Sequence, residues 1–467
     1  MNKELHIERI VILFVPYGLA ILFKNDPLLS YMVAWLGSFF IFILTLTGWI
    51  RALPKDRSFA DQIMRPIILV QIIFAGYMCS TSIFYLMNAY GYDNFQRPTN
   101  FFMVDIYRIE LIAQCQRYYV LGHAAFVTGI LVTMKYPDKP KFKIETESIS
   151  NLLFYSALIT LPVSIIFAKV PGLSQFSNQF NALSFVAGTL SLAFAIPQKK
   201  AMNTAVSLFL YFSNFYAALT SGFKEPIILS VMILGIFLYP TYKKVVLFTF
   251  IPMLLILFML LPTYARVFRQ SNWNGDTSAD DATELALNAA LNNDDADDTN
   301  WGFLVYRISE IDMFITFTQS TPDRVDYYKF DLVKQSAIAL IPRIFWQAKA
   351  STEAVVMERV YLAGVVSRNA KVSAKPAYIV DAYLSYGNTG IIIALFIYGA
   401  AAQYISQKAE LLFGGYLFGT ALIFSGLFQI FWRGLSFEFI ANTVFWSYIT
   451  MLLIHKIMVS RNILRPV

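Results

Sequence analysis

The sequence predicts an all-α polytopic membrane protein, and three observations carry that prediction. Only 14% of the 467 residues are charged, whereas a soluble domain carries about a quarter. The mean hydropathy of the chain is +0.55. Its 42 Phe and 27 Tyr suit a surface that faces lipid and the interfaces of a bilayer.

About twelve segments read as membrane helices, each of which needs about 20 mostly apolar residues. They lie near residues 8–23, 29–50, 66–90, 118–134, 152–168, 181–197, 204–222, 226–240, 245–261, 387–407, 411–431 and 437–457. No small-residue cleavage site follows the first segment, so we expect a retained anchor. The chain then divides into helices 1–9 (1–261), a large external loop (262–386), and helices 10–12 with a short cytoplasmic tail (387–467).

The distribution of Lys and Arg predicts the orientation, because cytoplasmic loops carry an excess of both residues. With the N-terminus inside, the inside segments hold 18 of these cations and the short outside loops hold seven. Both termini are then cytoplasmic and the long loop lies outside. This topology signal accounts for most of the net charge of +7. No basic stripe with stacking aromatics is present, so a nucleic-acid partner is not expected.

The long loop has two parts of different composition. Residues 271–300 contain eight Asp and Glu and no Lys or Arg. The ligand order of an EF-hand is absent there, so we expect a solvated, mobile acidic loop. Residues 301–375 are richer in cations and contain apolar patches, which predicts helices that pack on the membrane domain and carry a site.

Four outside segments contain the candidate site residues. TSGFKEP (220–226) offers Lys224, and YRISEID (306–312) offers Arg307 and Glu310. FWRGLSFEF (431–439) holds Arg433 and Glu438 between the last two spans. Each has a structural alternative: a snorkelling lysine, a surface ion pair within one helix, or an ion pair that locks two membrane helices.

The fourth segment, LIPRIFWQAK (340–349), combines two cations with an indole. If it is helical after Pro342, then Arg343 and Trp346 are neighbours and Lys349 lies about one turn further on. An Arg–Trp stack with a purely structural role is the alternative.

Several cations on the outer side of the membrane suit one ligand, the diphosphate of a lipid-linked sugar. Arg binds phosphate oxygens with two hydrogen bonds and Lys supplies a point charge. The same groups stabilise charge on a departing diphosphate without a metal. The three histidines (His6, His123, His455) are scattered, and neither an HExxH motif nor a cysteine cluster occurs, so neither a metal nor a cofactor is expected.

These motifs resemble bacterial O-antigen polymerases of the Wzy type and oligosaccharide repeat-unit polymerases, which are related to O-antigen ligases and to C-class integral-membrane glycosyltransferases. LIPRIFWQAK is similar to the PRxxWPxKP signature of that family and preserves Pro342, Arg343, Trp346 and Lys349. It departs from the signature at residues 347 and 350, where proline is usual.

Three further stretches carry the resemblance. DAYLSYGNTG (381–390) resembles an E-x-Y-x-N-F-G-x-x-G element, with Asp381 in place of Glu. TSGFKEPIIL is similar to SGSRGxxL, with Lys224 in place of Arg. FWRGLSF resembles an xRGs element and carries Arg433 and Gly434. The resemblance covers residues 220–440, and the first 200 residues match only in helix count.

The resemblance implies polymerisation at the outer face of the bacterial inner membrane. A growing glycan passes from undecaprenyl diphosphate to a second lipid-linked repeat unit, alongside a chain-length regulator and a flippase. The cations expected at the diphosphate are Arg343, Arg433, Lys349, Lys224 and Arg307. Asp381 is the expected base or acceptor-orienting carboxylate, with Glu310 second, and Trp346 and Tyr383 are expected to stack on sugars.

Three other functions stay open, and one of them is a structural or assembly subunit of a polysaccharide export system. A ligase moves the finished glycan to another acceptor and is expected to carry a loop histidine, but none occurs between His123 and His455. A glycolipid flippase without chemistry is expected to have internal repeats and discontinuous membrane helices, and the sequence indicates neither.

Overall fold

The computed structural model describes residues 7–97, 101–136, 139–144, 149–170, 173–222, 224–272, 277–292, 296–343, 345–370 and 372–467. The helices up to the end of the membrane segment before the long loop are α1 (Ile7–Val11), α2 (Val15–Leu22), α3 (Pro27–Leu46), α4 (Leu69–Ile73), α5 (Ser82–Ala89), α6 (Ile106–Thr133), α7 (Ile149–Lys169), α8 (Ser174–Ala195), α9 (Ala201–Leu219), α10 (Lys224–Leu238), α11 (Lys243–Val245) and α12 (Ile251–Asn272).

The later helices are α13 (Ala279–Asn292), α14 (Ala296–Phe303), α15 (Ile311–Ser320), α16 (Asp331–Leu340), α17 (Thr352–Ala363), α18 (Tyr378–Leu412), α19 (Ser425–Leu427), α20 (Ile430–Arg433) and α21 (Phe437–Ser460). Four π-helical stretches interrupt or extend them at Phe74–Ser80, Val246–Phe250, Leu304–Ile308 and Leu417–Phe424. Short 3₁₀ turns cover Ile12–Phe14 and Ala60–Gln62. Two short strands, β1 (Phe142–Ile144) and β2 (Leu464–Pro466), pair with each other.

The all-α fold is confirmed, but the prediction of about twelve membrane helices is wrong. Six helices in the described part of the chain are long and apolar enough to cross a membrane: Pro27–Leu46, Leu69–Ala89, Ile149–Lys169, Lys243–Asn272, Tyr378–Leu412 and Phe437–Ser460. Pro226–Leu238 and Leu417–Leu427 are apolar but shorter. The first predicted span is broken by a 3₁₀ turn into two short helices. Helix α6 is long enough, but it carries Gln116, Arg117 and His123 and is mostly buried in protein.

The chain forms two compact units. The first contains residues 1–143, 304–424 and 428–467, and the second contains residues 144–303 and 425–427.

Helices α6 and α18 pack closely in the first unit because glycines lie at their contact. A Cβ on Gly129 would lie 2.1 Å from the carbonyl oxygen of Phe396, and a Cβ on Gly399 would lie 2.0 Å from that of Phe126. Small residues that let two backbones approach are typical of helix contacts in membranes. The glycines therefore fix the position of α18, which forms one wall of the candidate site.

One end of the first unit is built around a buried arginine. Arg65 is 1% exposed and donates to both carboxylate oxygens of Glu410 at 2.8 Å and to both of Asp56 at 2.8 Å. The ring of Tyr136 lies 4.1 Å from its guanidinium carbon. The pairing holds the loop before α4 against the C-terminal end of α18, 345 residues away in the chain.

The other short segments of the first unit meet at this same end. Arg51 donates to the carbonyl of Leu131, at the end of α6. The backbone N–H of Lys141 donates to Leu411 at 2.9 Å, next to the β1–β2 pair that includes the C-terminal residues. Arg9 donates to the carbonyl of Trp49 at 2.7 Å. Both ends of the described chain and three basic segments (51–65, 135–143, 461–465) therefore belong to one end of the unit, which we call the basic end.

In the second unit, the predicted mobile acidic loop is partly an ordered helix. Helix α13 buries its alanines (Ala282, Ala286, Ala290) against Phe268 and Tyr264 of α12. Its acidic residues lie on the opposite face, as in an amphipathic helix. Residues 273–276 and 293–295 lie outside the described residues, so the expectation of mobility is corrected only for α13.

Candidate functional site

A large apolar groove lies between two candidate membrane helices of the first unit. Its volume is about 900 Å³, and its walls are formed by α18 and α21, with α16 beside them. The lining side chains include Ile393, Ile397, Ile440, Val444 and Phe445. In the part of α18 after Gly387, the lining runs from residue 389 to residue 405, about 24 Å at 1.5 Å per residue. That length approaches the thickness of the hydrocarbon core of a bilayer, about 30 Å.

A lysine lies at the N-terminal end of the α18 wall. Lys329 is the one charged residue among the described residues that line the groove. Its backbone N–H donates to the carbonyl of Ser385 at 3.0 Å, and the preceding N–H of Tyr328 donates to Leu384 at 2.9 Å. Lys329 has a left-handed backbone with φ +51°, uncommon for a residue other than glycine. Its neighbour Phe330 contacts Tyr386 with ring centroids 5.4 Å apart.

The carbonyl groups of Leu384 and Ser385, which accept these two hydrogen bonds, lie next to a break in α18. Tyr386 (φ −152°, ψ 33°) and Gly387 (φ 58°, ψ −135°) are not helical. The sequence-based expectation that no membrane helix is discontinuous is therefore wrong. Gly387 suits the break because its left-handed backbone strongly favours glycine over other residues. Gly390 packs against the carbonyl of Ala382 across the break, where a Cβ would lie 2.0 Å from that oxygen.

Behind the groove, one arginine and two acidic side chains form a buried cluster that we call the triad. Arg359 of α17 donates to both oxygens of Glu438 at 2.7 Å and to Oδ2 of Asp381 at 2.8 Å. The exposed fractions of Arg359, Asp381 and Glu438 are 2%, 0% and 1%. The backbone N–H of Phe437, which lines the groove, also donates to Asp381 Oδ2 at 2.8 Å. The triad thus joins α17 to the first turns of both groove walls.

This arrangement changes the roles expected for two acidic residues. Glu438 was expected to pair with Arg433 in the structural alternative, but its buried partner is Arg359. Asp381 was the expected base, yet it is fully buried and bonded to Arg359 and to a backbone N–H. A carboxylate held in this way positions the groove walls, and it presents no surface to a substrate.

The described residues of LIPRIFWQAK after Pro342 are not helical, contrary to the expectation from Pro342. Helix α16 ends at Leu340, and the chain then turns back. Arg343 is exposed, Phe345 is 81% exposed and Trp346 is 45% exposed. Leu340 itself lines the groove. The Cα of Arg343 lies within about 11 Å of the Cα of Leu340, because three steps of about 3.8 Å separate the two atoms along the chain.

Lys349 caps the helix that precedes it. Its ammonium donates to the carbonyls of Ile338 at 3.3 Å, Ala339 at 3.2 Å and Ile341 at 2.6 Å, at the C-terminal end of α16. Burial lowers the pKa of Lys349, and the charge of nearby Arg343 lowers it further. A cation is favourable at a helix C-terminus, where the last carbonyls have no partner within the helix. Lys349 therefore has a structural role in this geometry.

We expect Lys349→Met to lower the free energy of unfolding by about 1 kcal/mol, because the α16 carbonyls lose a charged donor. Thermal unfolding of the detergent-purified protein would measure the change. Lys334→Met, at an exposed position of α16, is the matched control and should leave stability unchanged. Unchanged stability of the Lys349 variant, together with weaker diphosphate binding, would assign Lys349 to the ligand instead.

Arg433 ends α20, and the left-handed Gly434 follows it. Arg433 is exposed and lies two residues after Phe431, which lines the groove. The carbonyl of Gly434 accepts from the backbone N–H of Tyr378 at 2.5 Å. Arg433 therefore precedes, by one residue, the backbone contact with Tyr378, which lines the groove.

Arg307 and Glu310 lie elsewhere in the first unit, beside α5 and α6. The π-helix Leu304–Ile308 contains Arg307, which is exposed. Glu310 precedes α15 with a left-handed backbone (φ 52°, ψ 15°). Its carboxylate accepts from the hydroxyl of Tyr77 at 3.3 Å, and burial raises its pKa to about 7. These two residues form a separate polar region and do not line the groove.

Of the predicted ligand residues, Tyr383 does not present a free surface. Tyr383 is 3% exposed, its ring lies 4.9 Å from that of Tyr118, and its hydroxyl donates to the carbonyl of Thr321 at 2.9 Å. It is a core aromatic, because no face of the ring is open to a sugar. The side chain of Lys224 lies outside the described residues, and its backbone belongs to the second unit.

Sequence reasoning missed two residues that matter here. Lys329 was one loop cation among many, and its position depends on the bond to Ser385, 56 residues away in the chain. Arg359 lies in TEAVVMERVYLA, an ordinary helical sequence. Only its burial between two carboxylates distinguishes it from the exposed Arg368 nearby.

The fold is all-α, with helices long and apolar enough to cross a membrane, and the groove lies between two of them. The chain belongs to the family described as a domain of unknown function, DUF8712, whose model matches residues 15–466. No curated protein and no solved structure matches the chain.

Proposed function

We propose that this protein is a glycosyltransferase that polymerises oligosaccharide repeat units carried on undecaprenyl diphosphate. The groove is the observation that carries the proposal. It offers an apolar surface along about 24 Å of α18, at 1.5 Å per residue, and it has one lysine where the wall begins. A long isoprenoid chain with an anionic headgroup fits both properties, because apolar carbons bury against the walls and the cation faces the diphosphate.

We include Arg343 and Arg433 among the proposed ligands of the diphosphate. Each lies within three residues of a side chain that lines the groove, Leu340 or Phe431. Guanidinium groups bind phosphate oxygens with two parallel hydrogen bonds. In the proposed reaction, the acceptor hydroxyl oxygen bonds to the anomeric carbon of the donor glycan. The bond to the diphosphate breaks, and the diphosphate leaves with the electron pair, stabilised by these cations.

The orientation at the outer face of the inner membrane is part of the proposal. The basic end contains the short segments 51–65, 135–143 and 461–465, which are rich in Lys and Arg. Short basic segments favour the cytoplasmic side. Lys329 and the triad lie at the other end of α18 from Glu410, so the headgroup end of the groove faces outward. The proposed orientation does not depend on the number of spans, and both termini are then cytoplasmic.

A flippase is the second candidate function, because the break at Tyr386 and Gly387 is a discontinuity in a membrane helix. Such breaks form substrate sites in transporters. In this chain the freed carbonyls of Leu384 and Ser385 are bonded to backbone N–H groups. They are therefore not available to coordinate a transported ion.

Purified protein in liposomes tests the proposal. With lipid-linked repeat units as the only substrate, we expect glycan ladders in the presence of a chelator, since the cations supply the charge stabilisation. Movement of labelled lipid between leaflets with no ladder would favour the flippase. A strict requirement for a divalent ion would contradict the metal-free mechanism. If lipid A core is added as a second acceptor, transfer of a repeat unit to it with no ladder would indicate a ligase.

A further inference from the structure

Arg117 of α6 is a half-buried cation that no carboxylate neutralises in the described part of the chain. Its Nη1 donates to the hydroxyl of Ser30 in α3 at 2.8 Å. That hydroxyl in turn donates to the carbonyl of Ala20 in α2 at 2.7 Å. A guanidinium has five N–H donors, so four remain beyond the bond to Ser30. The side chains that act most strongly on its charge are Tyr118, Tyr17 and Cys115, which are neutral near pH 7.

The other buried arginines of the first unit are compensated within the protein. Arg65 and Arg359 are each held by two carboxylates. Arg51 donates to the last carbonyls of α6, where a helix C-terminus favours a cation. Arg117 lies in the middle of the same helix, where backbone carbonyls are bonded within the helix. Removing an unpaired cation from water is costly, so we expect an anion from outside the chain to pair with Arg117.

Tyr17 of α2 supplies a second donor beside Arg117. Its hydroxyl accepts from Nδ2 of Asn388 at 3.0 Å, and the charge of Arg117 acts on it. The hydroxyl proton of Tyr17 has no acceptor among the described residues, so it is available to a ligand. Asn388 follows the break in α18 directly. We call Arg117, Tyr17, Ser30 and Asn388 the Arg117 site, and it joins α2, α3, α6 and the part of α18 after the break.

The Arg117 site lies at the level of lipid headgroups if α3 crosses the membrane. Ser30 is the fourth residue of that candidate span, Pro27–Leu46, and lies about 5 Å from its start at 1.5 Å per residue. The headgroup region on each side of a bilayer is about 5–8 Å thick. This end of α3 is the one remote from Trp49 and the basic end.

The helices beside the Arg117 site expose apolar side chains that suit acyl chains. Leu19 and Leu22 of α2 are 43% and 75% exposed, and Leu29 of α3 is 41% exposed. Leu29 directly precedes Ser30, and Leu19 is two residues from Tyr17. A charged donor pair next to exposed leucines matches a ligand with an anionic head and an apolar tail.

We propose that the Arg117 site binds the phosphate of an anionic phospholipid, whose acyl chains lie along the apolar surface of α2 and α3. Charge selects this lipid, because one guanidinium neutralises the single negative charge of a phosphodiester. A diphosphate carries more charge than one cation balances. Arg117 donates to the phosphate oxygens and the hydroxyl of Tyr17 adds a further bond. The bound lipid then joins the α2–α3 hairpin to α6 and to α18. The inference does not depend on the reaction proposed at the groove.

Thermal unfolding of the full chain, purified in a neutral detergent and titrated with phosphatidylglycerol, tests the proposal. A ligand that binds only the folded state raises the unfolding temperature as its concentration increases. Phosphatidylglycerol should raise that temperature more than phosphatidylcholine, whose choline balances the phosphate charge. Arg117→Gln should weaken the apparent affinity for phosphatidylglycerol at least about ten-fold, and Tyr17→Phe about three-fold. Lys24→Gln removes a cation from the exposed α2–α3 turn. It is the matched control and should leave the affinity unchanged.

The measured quantity is the lipid-dependent shift, which loss of the Arg117–Ser30 bond alone does not change. If Arg117→Gln does not fold, Arg117→Lys and Tyr17→Phe provide the test, and normal affinity in both would contradict the site. An unchanged shift in a folded Arg117→Gln variant would overturn the proposal, and so would an equal loss in Lys24→Gln. The same shift with inorganic phosphate would show that no lipid is required. A larger shift with undecaprenyl phosphate than with phosphatidylglycerol would overturn the assignment to a phospholipid.

Discussion

Arg343→Ala and Arg433→Ala are each expected to abolish long glycan chains while single repeat units remain on the lipid carrier. Removing one preorganised charge from a site that stabilises a leaving group typically costs about 10²–10³ in turnover. Lys329→Ala should lower turnover by a comparable factor, because this lysine lines the groove. Gel ladders of surface glycan from a deletion strain carrying each variant would measure the loss.

Arg368→Ala is the matched control for these variants. Arg368 is an exposed cation of the same long loop and pairs with Glu358, with side-chain exposures of 60% and 51%. Its removal should leave the ladder unchanged, since exposed pairs contribute little. Arg343→Lys should recover only part of the activity, because an ammonium cannot make two parallel bonds to a phosphate. Normal ladders from all three alanine variants at normal protein levels would refute the diphosphate assignment.

The sequence predicts the fold class well and the span count poorly, for a physical reason. A scan for apolar runs finds every helix that avoids water, whether lipid or protein surrounds it. Helix α6 shows the ambiguity: it is buried among other helices and retains Gln116 and His123 in its interior. An apolar helix is a core helix or a membrane helix depending on its contacts with other helices, and the sequence of one segment does not show those contacts.

Partners distant in the sequence explain most of what the site residues do. Lys349 was expected to bind a ligand, but it folds back on α16, a contact that the helical spacing of LIPRIFWQAK does not predict. The partner of Glu438 is Arg359, 79 residues away in the chain, whereas the sequence indicated the nearby Arg433. Gly387 in SYGNTG was a visible signal for the break in α18, since its left-handed backbone favours glycine.

Arg359→Ala is expected to destabilise the protein by about 3–5 kcal/mol, the range found when one partner of a buried ion pair is removed. The variant leaves Asp381 and Glu438 as two buried carboxylates without their cation, at the N-terminal turns of the two groove walls. Thermal unfolding in detergent and the yield of folded protein would measure the effect. Glu358→Ala is the matched control, because Glu358 neighbours Arg359 in the chain but is exposed, and exposed pairs such as Glu358–Arg368 contribute little to stability.

A triple replacement tests whether the triad acts only through its charges or also by positioning the two groove walls. Arg359→Met combined with Asp381→Leu and Glu438→Leu removes all the charged groups of the triad, and such replacements are often neutral or stabilising. Stability should therefore recover relative to Arg359→Ala. Glycan polymerisation should not recover, because the bidentate pairing that sets the two groove walls and the bond from Phe437 to Asp381 are lost. Full activity in the triple variant would show that the groove needs only apolar packing at this end, and the positioning role of Asp381 would be wrong.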